Sequence, residues 1–445
     1  MGIKIYEDLE EARRTVLRRR EMTTVDDVPE VVLSGIRRIF GEALTPEAAV
    51  ARMLADVRER GDEALREWTR RIDGIELEEL EVPRETWTAA YKALDPELCE
   101  ALEFSAVRIR DFHIHQPIPS WTTDTMGGTL GQRLTPIRSA GVYVPGGTAP
   151  LPSSLLMTAI PARAAGVDEI TVCSPAAGPE GEVNDMILAA AHIVGVDRVY
   201  RLGGALAVAA LAFGTDSVPR VDKIVGAGGL FTTLAKRQVY GIVGLDGLAG
   251  PTETVVVADD SANPAWVASD LLAQAEHDVL ATAILFTPSR SLAEAVQAEV
   301  AQQMAVLSRR DVLERSLPGQ SGIVLTPDME TAAKLADAFA PEHLCLSVRE
   351  PQYWAGQIRN AGGFFMGEAS CEVLGDYVAG PSHVMPTGGT ARFASPVNVL
   401  DFMKISSIVA LDAATAGKLA VAAERIARAE TLTAHAAAAR QRQLS

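Results

Sequence analysis

The sequence predicts an α/β protein of two doubly wound parallel-sheet domains, with a helical arm before them and a helical tail after them. Three observations carry this. From Gly141 onward the chain repeats strand, glycine turn and helix; after Gly250-Pro251 a second set of short apolar strands alternates with helical stretches; and both ends of the chain have helical spacing without strand spacing.

In chain order, the basic run Arg13 to Arg20 is broken by Val16 and Leu17 and faced by Glu10, Glu11 and Glu21, which reads as one solvated helix face. Thr45-Pro46-Glu47 is a helix cap with Pro at the first helical position. Ala49, Val50, Met53, Leu54 and Val57 follow at the spacing of one buried stripe. Gly61-Asp62 ends that helix, and Ala64, Leu65 and Trp68 begin another. In the first α/β set, Val142-Tyr143-Val144 leads into Pro145-Gly146-Gly147, Val199-Tyr200-Arg201-Leu202 into Gly203-Gly204, and Lys223-Ile224-Val225 into Gly226-Ala227-Gly228-Gly229. A glycine turn that opens a helix suits an anionic ligand, because unpaired N–H groups and the helix dipole point into the turn. None of the three matches G-x-G-x-x-G, so these are either nucleotide turns of an incomplete Rossmann-like kind or ordinary tight turns of a sheet. The second set has strands at 254–258, 283–287, 322–326, 344–348 and 363–366, with ligands expected at their carboxyl ends. The tail from Asp412 to Arg440 is Ala-rich and short of large apolar residues, so it is expected to pack on another body, a partner subunit included.

Composition narrows the function. The 445 residues are 48% hydrophobic and 22% charged, enough for two or three domains with ample core. A formal net charge of −17 argues against a surface that tracks nucleic-acid phosphates. Cys99, Cys173, Cys345 and Cys371 show no paired spacing, which fits a reducing cytoplasm without disulfides. The N-terminus turns polar at once, so no signal peptide is expected. The longest apolar run, Ala205 to Phe213, is far short of the ~18 residues of a membrane span.

Four groups could carry chemistry. Glu342-His343, within Ala340-Pro341-Glu342-His343-Leu344, joins two proton-transfer groups at a Pro-marked turn; it is either a base pair or a satisfied turn. Gln274 and His277 stand at i and i+3 near the end of the helix that Asn263-Pro264 opens. They are either two ligands of a divalent metal or a helix-end histidine beside a hydrogen-bonded amide. Asp376 and His383 lie seven residues apart in a Gly-rich loop, placed for a metal, for a substrate, or simply by turn chemistry. Glu430 and His435 are five residues apart in the Ala-rich tail, about 500° around a helix axis at ~100° per residue. A Gln, an Asp and two His drawn from these groups would give one amide, one carboxylate and two imidazoles, a donor set suited to zinc with room left for substrate.

Taken together, these segments resemble the histidinol dehydrogenase family. The resemblance rests on Val142 to Gly147, Gly203-Gly204-Ala205, Ala235-Lys236-Arg237-Gln238-Val239, Gly250-Pro251-Thr252-Glu253, Ser269 to His277, Ala340 to Leu344, Gly375-Asp376-Tyr377, His383 with Pro386-Thr387, and Leu432-Thr433-Ala434-His435, and so spans nearly the whole chain in order.

The resemblance implies NAD-dependent oxidation of L-histidinol through bound L-histidinal to L-histidine, with one zinc ion per subunit held by Gln274, His277, Asp376 and, from the partner in a homodimer, His435. It implies that His343 takes the alcohol proton and Glu342 activates water at the aldehyde stage. Thr252, His383 and the partner-supplied Glu430 would bind substrate beside Gln274, His277, His343, Asp376 and His435, and Tyr143 and Gly229 would face NAD. On this basis residues 1–39 form the arm, 40–141 with 252–397 a discontinuous domain holding zinc and catalytic residues, 142–251 the nucleotide side, and 398–445 the tail. The chain departs from the family pattern at Leu206 (family Gln), Gly229 (Asn), Thr252 (Ser) and Pro381-Ser382 (Thr-Asn). Those changes motivate two other readings: a zinc/NAD dehydrogenase of another amino alcohol or a sulfonated diol, and a non-catalytic binding or assembly protein that has lost cofactor contacts.

Overall fold

The structure is a computed structural model that describes residues 2–19, 28, 30–146, 150–178 and 181–443. Gly147 of the first glycine turn, and Arg20 and Glu21 of the basic run, therefore lie outside the described residues. The chain clusters into two compact units, Met1–His115 with Arg138–Phe402, and Gln116–Ile137 with Met403–Ser445.

The first unit holds two parallel sheets. One has six strands in the spatial order Ile5–Tyr6, Gly322–Leu325, Thr282–Thr287, Glu253–Ala258, His343–Ser347, Gly363–Met366. Apart from the edge strand Ile5–Tyr6, the chain enters this sheet at Glu253–Ala258, builds outward on one side, then crosses over to build on the other. The crossover makes a topological switch point between Glu253–Ala258 and His343–Ser347. Alternate side chains feed two cores. Val255, Val257, Ile284, Phe286, Leu344 and Leu346 enter one, and Val256, Ala258, Ala283, Leu285, Ile323 and Cys345 enter the other. Each fully buried valine among them contributes about 1.5–3 kcal/mol.

The second sheet has the order Arg198–Arg201, Glu169–Ser174, Ser139–Tyr143, Lys223–Val225, Gly244–Leu245, again all parallel and with its switch point beside its first strand. Two doubly wound sheets are thus present, as the strand rhythm predicts.

The helix Pro46–Arg60 starts where its cap dictates, with the Thr45 side chain accepting from Ala48 N–H, and stops at Gly61. Its stripe Ala49, Val50, Met53, Leu54 and Val57 is buried against Leu206, Ala210, Leu211 and Leu234. The resemblance groups residues 40–141 with 252–397; in the structure the apolar residues of Pro46–Arg60 and Asp62–Asp73 share one core cluster with the five-stranded sheet. The arm carries the expected helices, Leu9–Arg14 and Glu30–Phe40, and adds Ile5–Tyr6, which pairs with Ile323 and Val324 as an edge strand. Two residues are too few to show a period of two.

The second unit is an antiparallel sheet, Trp121–Thr123, Thr129–Pro136 and Met403–Ala410, plus the helices Ala413–Ala429 and Thr433–Gln443. A Cβ on Gly128 would lie 2.3 Å from Ala410 O, so only glycine lets that turn close. The two helices are tied through Glu424, which accepts from Arg428, Arg440 and Gln443. The expected tail helices are present, but the strands before them were not expected. Among the described residues no helix is long and apolar enough to cross a membrane.

Candidate active site

The helix Pro264–Ala275, capped by Asn263 and opened by Pro264, follows a strand of the six-stranded sheet and returns toward its amino ends. Its last turn therefore delivers Gln274 and then His277 to the start of the strands. Thr252 precedes Glu253–Ala258 there, and Glu342 precedes His343–Ser347, so both flank the switch point. The short helix Glu372–Tyr377 adds Asp376, and the loop beyond it adds His383. These seven residues line one cavity, together with Leu151, Ser153, Ser154 and Ala227 from the five-stranded side. The expectation of a site at the carboxyl ends of the second set of strands is overturned. The chemistry gathers at the amino ends, because helices that return between parallel strands bring their C-terminal residues to that edge.

The central pair is held from several directions. Glu342 Oε2 accepts from Thr252 Oγ1 at 2.6 Å and from Glu253 N–H at 3.0 Å, and Glu342 is buried. His343 Nε2 lies 3.2 Å from Asp376 Oδ1, and Nδ1 lies 3.1 Å from Gln274 Nε2 and 3.8 Å from Glu342 Oε2. Burial pushes the Glu342 carboxyl well above the ordinary carboxylate range, with His343 and Thr252 opposing. Burial lowers His343, but the charges of Glu342 and Asp376 outweigh it and raise the group. Burial would raise Asp376, yet the hydrogen bond and charge of His343 hold it low. His277 reaches solvent, but surrounding protein still lowers it; burial lowers His383, whose Nδ1 sits 2.6 Å from Asp376 O.

Gln274 donates its amide nitrogen to Thr252 Oγ1, and its carbonyl oxygen makes no hydrogen bond with a described residue. A carbonyl oxygen, a neutral imidazole and an ionised carboxylate on one cavity wall are the states in which Gln, His and Asp ligate a divalent ion. Among the described residues no three His, Cys, Asp or Glu side chains form a metal-binding group. The donors present are of mixed type, and Gln274 is one of them.

Asp376 is positioned from behind. Glu372, one helical turn earlier, accepts from Thr254 Oγ1 at 2.6 Å and is fully enclosed. Gly375 lets the same helix close on Phe365, since a Cβ there would lie 2.4 Å from the ring, and that ring packs 5.6 Å from the imidazole of His343.

On the five-stranded side, Tyr143 and Gly229 flank that sheet's switch point at its carboxyl ends. Tyr143 is buried, and its hydroxyl accepts from Gly204 N–H at 3.1 Å. Gly229 caps the helix Leu230–Val239, and a Cβ on it would meet nothing within 4 Å. Leu206 is buried in the core beneath, and Ser382 Oγ donates to Met157 O at 2.9 Å rather than to a ligand. Sequence reasoning gave no role to Lys236 and Asp246. Lys236 is buried and Asp246 partly so, and they hold Gly226 by its carbonyl (Lys236 Nζ, 2.9 Å) and its N–H (Asp246 Oδ2, 2.7 Å). With φ at 112°, Gly226 occupies backbone space open to glycine, and the pair fixes the turn there. Asp246 stands ten residues beyond Lys236 with no periodic signal to link them.

Glu430 and His435 belong to the second unit. Glu430 is the C-terminal cap of Ala413–Ala429, His435 lies in Thr433–Gln443, and both are exposed.

The family model for histidinol dehydrogenase matches residues 41–443. The histidinol dehydrogenase of Deinococcus radiodurans is 53% identical over 417 residues, 93% of this chain and 95% of that protein. That of Pseudomonas fluorescens strain Pf-5 is 49% identical over 390 residues, 87% of this chain and 88% of that protein. The crystal structure of histidinol dehydrogenase from Elizabethkingia anophelis superimposes with a TM-score of 0.89 at 32% identity, covering 99% of this chain and 98% of that one.

Proposed function

The chain belongs to the histidinol dehydrogenase family, and on that premise we propose that it oxidises L-histidinol to L-histidine through bound L-histidinal in two NAD-dependent steps, the last of histidine biosynthesis. The observation that carries this reading is the single cavity that joins Glu342 and His343 to Gln274, His277, Asp376, His383 and Thr252. The swapped residues give no support to a different alcohol. Thr252 keeps the hydroxyl that Glu342 uses, while Leu206 and Ser382 turn into the protein.

Alcohol oxidation needs the hydroxyl proton removed as hydride leaves the carbon, and acid formation needs water added to the aldehyde first. His343, between Asp376 and Glu342, takes the alcohol proton, a role open to it once zinc held by Asp376 offsets the negative charge that raises its proton affinity. Glu342 takes a proton from the attacking water, a role its raised affinity for protons favours, because a base working near neutral pH is most effective when its pKa lies near that pH. Gln274, His277 and Asp376 are the residues that would hold zinc in this subunit, with His435 of the other subunit completing the set. Bound zinc would fix the substrate's amine and imidazole and offset the charge of Asp376, and NAD would accept one hydride at each stage. Tyr143 and Gly229 border the nucleotide, a placement that their sheet's switch point favours. Residues 252–397 thereby carry the zinc and proton chemistry, and 142–251 the nucleotide.

A homodimer with shared sites accounts for the tail. Glu430 and His435 are exposed, as are Ile405, Val409, Leu419 and Ile426 of the same unit, an apolar set that a second copy would cover. The four cysteines are free, which agrees with a cytoplasmic setting.

Subunit complementation tests the reading. Glu342→Gln and His435→Ala are each expected to form almost no L-histidine at steady state from L-histidinol and NAD. After unfolding and refolding as an equal mixture they are expected to recover about a quarter of wild-type activity, since half of the dimers are hybrids and each hybrid has one intact site of two. A silent mixture would rule out the shared site, and wild-type protein that fails to reduce NAD with L-histidinol would rule out the substrate.

A further inference from the structure

We propose that Arg19, which lies outside the stretch matched by the family model, positions the Glu342–His343 pair by clamping the two chain segments that hold it; the inference rests on the reading of that pair as the proton-transfer groups. The sequence marks Arg19 as part of a solvated helix face, but the helix ends at Arg14 and Arg19 turns inward. Its Nε and Nη2 donate to the two oxygens of Glu253 at 2.7 and 2.8 Å, a planar fork on a carboxylate. Nη2 also reaches Ala340 O at 3.4 Å, and the guanidinium lies 3.9 Å from the centre of the Phe339 ring. One side chain thus grips the start of Glu253–Ala258 and the end of the helix Met329–Phe339.

Both gripped segments bear directly on the pair. Glu253 N–H donates to Glu342 Oε2 at 3.0 Å, and Glu253 O lies 3.4 Å from His343 Nδ1. Ala340 stands two residues before Glu342 at φ 50°, a left-handed conformation uncommon outside glycine, so its turn depends on contacts from elsewhere. A Cβ on Gly389 would lie 2.6 Å from Arg19 Nη1, so glycine there leaves the guanidinium its place.

A purely structural Arg19 would only neutralise a buried carboxylate, and that alternative is separable. Lysine keeps the charge but loses the fork and the stacking surface. The Arg19→Lys variant is expected to keep its melting temperature within about 3 °C and its KM for NAD, while kcat for L-histidinol falls tenfold or more, of the order that small misplacement of reacting groups produces (up to about 100-fold). The double variant Arg19→Met/Glu253→Gln removes both charges of this pair; it is expected to keep the melting temperature but not kcat, and it carries the same test should Arg19→Lys fail to fold. Wild-type kcat in Arg19→Lys, or full recovery of kcat in the double variant, would overturn the proposal. Glu342→Gln, assayed alongside, keeps the two readings apart: if it retains wild-type turnover, the assignment of the pair has failed whatever Arg19 does.

Discussion

Glu342→Gln is expected to stop the reaction at the aldehyde. The amide keeps the size of the carboxyl and can still accept from Thr252 Oγ1 and Glu253 N–H, so the pocket should hold its shape. What it loses is the ability to take a proton from water. Steady-state formation of L-histidine should fall by about 10²–10⁴, the usual contribution of a positioned base. The alcohol stage depends on His343 instead, so in a single turnover the variant should release about one NADH where the wild type releases about two. Thermal stability should be unchanged or higher, because burial disfavours the charged carboxylate and an amide carries no charge to bury. Two NADH from the variant at a near wild-type rate would remove Glu342 from the water step.

His277→Ala is expected to strip the zinc. The side chain reaches solvent at the end of Pro264–Ala275, and its imidazole makes no hydrogen bond among the described residues, so folding should be little affected. Metal affinity should fall by more than the ~10–100-fold that loss of an outer-shell support causes. Metal content after dialysis against a mild chelator reads this directly, and activity should fall in parallel. A variant that keeps one zinc per subunit under those conditions would show that the ion is held elsewhere.

Much of this architecture was legible in the residues. The runs around Val142, Val255, Ile284 and Leu344 are short, β-branched or apolar, and bounded by glycine or proline, and each is a buried parallel strand. Gln274 and His277 could be paired by helical spacing alone, and the cavity brings them together with Glu342 and His343. Which end of the sheet would carry the site was not legible. That depends on the direction in which the helix Pro264–Ala275 returns, and on the pairing of His343 with Thr254 across the switch point. The antiparallel sheet was also hidden, because Lys404, Ser406 and Ser407 break the apolar run of Met403–Ala410 and its partner Thr129–Pro136 lies some two hundred and seventy residues earlier, so no local pattern links them. Arg19 read as surface for the same reason. Its carboxylate partner is 234 residues away, and a basic residue between Arg18 and Arg20 carries no sign of the fork it makes. Glu372 could have been found, since it stands four residues before Asp376 on one helical face, but the glycine between them suggested a loop.

The proposed reaction takes an alcohol through an aldehyde to an acid in one cavity without releasing the intermediate. NADH formed per L-histidine produced from L-histidinol tests it most directly. Two NADH are expected for every L-histidine, with no free L-histidinal building up. A ratio of one, or NADH formed while L-histidinal accumulates and no L-histidine appears, would contradict it.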